Sequence, residues 1–190
     1  MNLASVQAGA TPEAAPETSR PGPGAVRHRS ESAEQTRDCG RDLGRRLGAG
    51  DLVILSGELG AGKTTFTQGL AEGLGVRGPI TSPTFVIARV HPSLNGGVPL
   101  VHVDAYRLGS LAELDDLDLD TAVEDSVTVV EWGEGKAEVL AQAHYTVHLA
   151  RALADDAGPA GEGADGAGAA GDWSETEVSD PRMITITRVG

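Results

Sequence analysis

GELGAGKTT, residues 57 to 65, follows the apolar run LVILS (52–56) and leads into KTTFTQGLAEGLG (63–75). A short apolar run bounded by turn residues is the pattern of a buried strand. Phe66, Leu70 and Leu74 then recur every four residues, which predicts a helix with Gly75 as its stop. Gly57, Gly62, Lys63 and Thr64 meet the spacing G-x-x-x-x-G-K-[ST] of a phosphate-binding loop, between the strand and helix that motif needs. Gly57, Gly60 and Gly62 let the backbone turn tightly and aim successive N–H groups inward. Those donors, with the helix N-terminus, form a cradle for polyphosphate oxygens. The Thr64 hydroxyl is placed to meet Mg²⁺.

The lysine carries information of its own. The chain has two lysines, Lys63 and Lys136, and arginine supplies its other 13 basic residues. A compact ammonium on a flexible stem reaches between β- and γ-phosphates, where arginine's planar fork would crowd the nest. A chain that otherwise prefers arginine has lysine where the loop geometry selects it.

With 190 residues, one domain is expected. No apolar run approaches the roughly 20 residues of a membrane span, and the N-terminus lacks the basic-then-apolar order of a signal peptide. Cys39 has no thiol partner, so a reducing cytoplasm fits best. A net charge of −13 argues against a general nucleic-acid binder. The acids are unevenly spread. Residues 111–138 hold ten against one lysine, and residues 153–181 hold eight with no Lys or Arg. The second stretch is mostly Gly, Ala and Asp and reads as a disordered insertion; the Pro- and Ala-rich residues 1–29 read as a disordered extension. The 26 glycines point the same way, to chain that is not packed. A P-loop domain over 30–190 remains, interrupted at about 153–181.

Within it, Ser32 and Gln35 have capping-box spacing at the start of a helix over about 32–48, with Thr36, Cys39, Leu43 and Leu47 on one face. Two strand-like runs, 84–91 and 98–103, flank PSLNGG and predict an antiparallel hairpin. Residues 110–125 read as short helical turns, VTVVEW (127–132) as a buried strand and GKAEVLA (135–141) as a short helix. HYTVHLA (144–150) and MITITRV (183–189) alternate as paired strands. The fold class is α/β: a small mixed, mostly parallel sheet flanked by helices, with C-terminal antiparallel strands.

Two of the strands end in acids, VHVD at Asp104 and VTVVE at Glu131. Both should lie at the carboxyl edge of the sheet, beside the P-loop. Either acid serves to hold Mg²⁺, directly or through water, while the other orients an attacking water; the plainer alternative is a solvated cap. Trp132 is core, cover over a neighbouring loop, or a nucleotide or partner contact. Ser82 and Thr84 in TSPTF flank a turn-setting proline, as a γ-phosphate switch or only as the start of a strand.

GELGAGKTTFTQGLAEGLG, TSPTF, HVDAYRL and VVEWGE, in this order and spacing, resemble the bacterial TsaE (YjeE) family over roughly residues 32–150, resuming at RMITI. That family consists of small P-loop ATPases needed for N6-threonylcarbamoyladenosine modification of tRNA. The resemblance implies that ATP phosphates are held by Gly57, Glu58, Leu59, Gly60, Ala61, Gly62, Lys63, Thr64 and Thr65. It implies Thr64 and Glu131 as Mg²⁺ ligands, and Lys63, Asp104 and Glu131 as the catalytic set, with Tyr106 and Arg107 supporting Asp104. Thr84 would face the γ-phosphate, and Thr36 and Arg182 would lie near the base. The family usually has Asp where Glu58 stands and often Pro where Gly133 stands, which makes a looser loop after Trp132 the expectation. The implied role is accessory: ATP turnover supports a transferase and its dimerisation partner, with no strong direct tRNA contact. Two other classes remain. A small-molecule kinase would need an Arg-rich lid, which 111–138 does not supply. A nucleotide-bound adaptor would hold ATP without hydrolysing it. A guanine reader of the Asn-Lys-x-Asp type is absent.

Overall fold

The computed structural model describes residues 24–83, 87–107, 124–152 and 181–190. Within them, strands β1 (Val26–Ser30), β2 (Leu52–Ser56), β3 (Ala88–His91), β4 (Leu100–Asp104), β5 (Val127–Glu131), β6 (His144–Arg151) and β7 (Arg182–Val189) form one sheet in the order β1-β7-β6-β2-β5-β4-β3. The centre, β6-β2-β5-β4, is parallel, and the flanking pairs β3–β4, β6–β7 and β1–β7 are antiparallel. Helices α1 (Ala33–Gly44) and α2 (Lys63–Leu74) pack against each other. Phe66 and Leu70 of α2 and Leu43 of α1 share the main core cluster with Val53, Leu55, Val127, Val129, Val147 and Leu149.

The helix start at Ser32 forms as its spacing predicts. Its Oγ accepts from the Gln35 N–H at 3.2 Å. Gln35 Oε1 reaches one residue further back than in the usual box and accepts from the Glu31 N–H at 2.8 Å. The helix ends at Gly44, earlier than the expected 48, yet Leu47 is still buried. The hairpin strand is also shorter than expected. Ile87 takes a left-handed φ of 68° and the strand begins at Ala88; residues 84–86, like most of 110–125 and of 153–181, lie outside the described residues.

One expectation gives way. The extension over 1–29 is too long, because Val26–Ser30 pairs along its length with β7, from Val26↔Ile186 to Ser30↔Arg182. VRHRS has four exposed residues and one buried, so no apolar period marks it as a strand. Backbone hydrogen bonds hold it, with Ser30 Oγ 2.8 Å from Thr36 Oγ1 on α1. Among the described residues, four glycines serve close packing. Gly40 and Gly44 on α1 face Gly69 and Gly73 on α2. A Cβ at Gly40 would lie 2.1 Å from the Phe66 carbonyl oxygen, and one at Gly69 1.8 Å from that of Arg37. The helices touch backbone to backbone at a spacing no side chain permits. Arg41 bridges the same crossing to Glu72.

An exposed helical Gly→Ala change gains about 0.5–1 kcal/mol. Gly69→Ala should do the reverse and lose about 1–3 kcal/mol through overpacking, while Gly48→Ala, where a Cβ meets nothing within 4 Å, should stay near neutral by urea denaturation. A chain beginning at Glu31 should melt at least about 5 °C below one beginning at Gly24, since it lacks β1. Equal melting temperatures would show that the β1 ladder contributes nothing.

Candidate functional site

Leaving β2, the chain turns through three glycines in left-handed conformations, with φ of 136° at Gly57, 77° at Gly60 and 101° at Gly62. Gly57 has a second reason to be glycine, because a Cβ there would lie 2.2 Å from the Leu149 carbonyl oxygen of β6. Lys63 opens α2 and is buried. Its Nζ donates to the carbonyl oxygens of Gly57 at 2.7 Å and Glu58 at 2.9 Å, and stands 3.7 Å from the centroid of the Trp132 ring. Burial lowers the pKa of this ammonium, and the nearby Glu131 and Asp104 carboxylates oppose that shift.

Parallel pairing brings the two strand-end acids together. In register, Asp104 faces Glu131 and Glu131 faces Leu55, one residue before the end of β2. Both acids are buried. Thr64 Oγ1 donates to Glu131, 3.0 Å from Oε1 and 3.3 Å from Oε2. Asp104 is held by the Ser82 hydroxyl at 3.0 Å on Oδ2 and the Tyr106 N–H at 3.0 Å on Oδ1. A cleft of about 460 Å³ opens above them, reached by Gly60, Gly62, Lys63, Thr64, Thr65, Asp104 and Glu131, together with Leu59, Ser82, Tyr106 and Trp132.

Trp132 is cover over this cleft. Its backbone is left-handed, with φ of 62°, and its N–H donates to the Leu55 carbonyl at 2.9 Å. Such a conformation is costly for a bulky residue. It carries the indole over Lys63 and into contact with the Tyr106 ring, centroids 5.3 Å apart. The loop that follows is not loose. Gly133 is buried, its carbonyl accepts from the N–H groups of Lys136 and Ala137, and an added Cβ would lie 2.7 Å from Val130 Cγ1.

The remaining expected residues fall differently. Thr84 lies outside the described residues. Thr36 packs behind the loop and does not line the cleft: its hydroxyl is engaged with Ser30 and with the Ser32 carbonyl at 3.2 Å, and its methyl faces Gly62. Arg182 reaches the loop itself. Its Nε donates to the Ala61 carbonyl at 3.2 Å and its Nη2 to that of Gly60 at 3.3 Å. No arginine neighbours the loop in sequence, but β6–β7 pairing sets Arg151 opposite Arg182 and so places both beside Gly60.

Sequence reasoning missed His102. Fully buried in β4, its Nε2 is 2.9 Å from Glu131 Oε1. The signal was present: in LVHVD a histidine two residues before Asp104 shares its face of the strand. The charge reading also shifts. The described residues hold fourteen of the Lys and Arg residues and only thirteen of the acids. The acidic excess belongs to the stretches between and before them.

Thr64 and Glu131 present hard oxygen donors side by side. Among the described residues no three His, Cys, Asp or Glu side chains cluster to hold a metal unaided. Hard oxygen donors of this kind, one hydroxyl and one carboxylate, would fit Mg²⁺, which takes one or two protein oxygens.

The family model for threonylcarbamoyl adenosine biosynthesis protein TsaE matches residues 30–157. The tRNA threonylcarbamoyladenosine biosynthesis protein TsaE of Streptomyces coelicolor is 66% identical over 122 residues, covering 64% of this chain and 82% of that protein. The protein of the same name from Bacillus subtilis is 37% identical over 132 residues, 69% of this chain and 81% of that one. A crystal structure of Bacillus subtilis YdiB superposes with a TM-score of 0.59 at 32% identity, covering 87% of this chain and 86% of that one.

Lys63 fits between two carbonyls and an indole, so Lys63→Arg should weaken ATP binding by about tenfold or more, and Lys63→Ala should abolish tight binding. Calorimetric titration with ATP checks both, and an arginine variant that binds like the parent would refute the geometric argument.

Proposed function

This chain belongs to the TsaE family, and we propose on that premise that it is a Mg²⁺-dependent ATPase serving N6-threonylcarbamoyladenosine modification of tRNA. The observation that carries the reading is the Thr64–Glu131 hydrogen bond beside buried Lys63. It joins the first turn of the P-loop helix to the acid at the end of the neighbouring strand.

The loop N–H groups and Lys63 bind and orient the triphosphate. Thr64 and Glu131 would hold Mg²⁺, which supplies neutralisation of the charge on the β- and γ-phosphate oxygens. Asp104, fixed through both its oxygens by Ser82 and the Tyr106 N–H, is the carboxylate left to accept a hydrogen bond from the attacking water. Water attacks the γ-phosphorus and the bond to the β-phosphate oxygen breaks. Trp132 and Tyr106 cover the site and limit access of bulk water.

The chain acts in the cytoplasm with a transferase and its dimerisation partner. Among the described residues no helix is long and apolar enough to cross a membrane. Support for a partner comes from the rim of the cleft, where Leu59 is 88% and Tyr106 66% exposed. Arg182 already braces loop carbonyls and Arg151 stands beside Gly60, so a bound partner that supplies a further cation, or repositions one of these, would meet transition-state charge. Such an arginine is worth about 10³-fold or more in rate.

Steady-state ATP hydrolysis should be slow for the chain alone and rise at least about tenfold with the transferase and its partner. Glu131→Gln should remove Mg²⁺-dependent turnover in both conditions. A demonstrably formed complex without a rate increase would refute the accessory-ATPase reading, and would favour a nucleotide-bound adaptor.

A further inference from the structure

We propose that His102 is a positioning residue that decides which oxygen of Glu131 faces the cleft; this rests on the Mg²⁺-dependent reading of the same site. His102 lies mid-strand between Val101 and Val103 in an otherwise apolar run that ends at Asp104. Its imidazole is 0% exposed, and its Nδ1 has no hydrogen-bond partner among the described residues. The His91 ring is tilted against it at 6.4 Å between centroids, and its Nε2 likewise meets no hydrogen-bond partner among the described residues. Burying a polar ring with one nitrogen unsatisfied works against stability. One interaction is formed in return: Nε2–H donates to Glu131 Oε1 at 2.9 Å.

That bond has a geometric consequence. Oε1 also receives the shorter contact from the Thr64 hydroxyl, at 3.0 Å against 3.3 Å for Oε2. With two donors on Oε1, its lone pairs are used, and Oε2 is the oxygen left for a cation or its water. Without His102 the carboxylate is free to rotate about its last torsion, and Thr64 can pair with either oxygen. Outer donors of this kind fix ligand orientation, and their loss typically costs about 10–100-fold in metal affinity.

The test uses the full chain and two variants. His102→Leu removes the donor and fills the space, while His102→Gln keeps an N–H donor close to the position of Nε2. Nucleotide binding is measured by fluorescence of a labelled ADP, first in EDTA and then across a MgCl₂ titration, with the melting temperature recorded for each protein. The expected result for His102→Leu is a half-saturating MgCl₂ concentration raised about tenfold or more, with EDTA binding unchanged and a lower melting temperature, because buried Glu131 loses a donor. His102→Gln should recover most of the Mg²⁺ response. An unchanged titration in His102→Leu would overturn the proposal. So would equal losses with and without Mg²⁺ in both variants, which would make His102 structural. If the parent itself shows no Mg²⁺ response, the functional reading fails, and this proposal with it.

Discussion

Three charged side chains, Lys63, Asp104 and Glu131, are buried at one edge of the sheet. Isolated buried charges are prohibitively costly, so each must be placed where the others and the backbone compensate it. The lysine has two carbonyls and an indole face, one acid has a threonine and a histidine, and the other has a serine and a backbone N–H. This requirement explains the surrounding geometry. Strands β2, β5 and β4 must be parallel and adjacent for Leu55, Glu131 and Asp104 to end at one level. The loop must turn through left-handed glycines for Lys63 to fold back onto it. Trp132 must take a strained backbone to lie over the ammonium.

Much of this was legible in the sequence because it depends on local rules. Gly57, Gly62, Lys63 and Thr64 have little freedom of type, and an apolar run ending in an acid marks a buried strand whose end meets water or a ligand. The pairing of 144–150 with 183–189 was legible through alternation alone, although a long polar stretch separates them. The β1 strand was not, because VRHRS is held by its backbone on an exposed edge and its side chains carry no pattern. His102 was hidden for the opposite reason, since it interrupts an apolar run at a position where hydrophobicity is the rule.

Glycine content has two physical meanings. Composition cannot distinguish a glycine that leaves chain unpacked from one that allows closer packing. Gly40, Gly44, Gly69 and Gly73 are of the second kind, and their spacing of four on both helices was the available signal. Net charge needs the same care, as the uneven spread of acids along the sequence already indicates. A total of −13 describes the chain, but not the nearly balanced surface that carries the site.

The crossing of α1 and α2 also has a mechanical meaning. Where helices meet backbone to backbone, no long side chains lie between them to absorb a shift by changing rotamer. The two helices therefore behave as one lever, with the P-loop at one end of α2 and, through the Ser30–Thr36 contact, the outermost strand of the sheet tied to α1. A displacement of the phosphate-binding turn that shifts α2 along its axis must carry α1 with it, and the edge of the sheet at Ser30 would register what happens at Lys63.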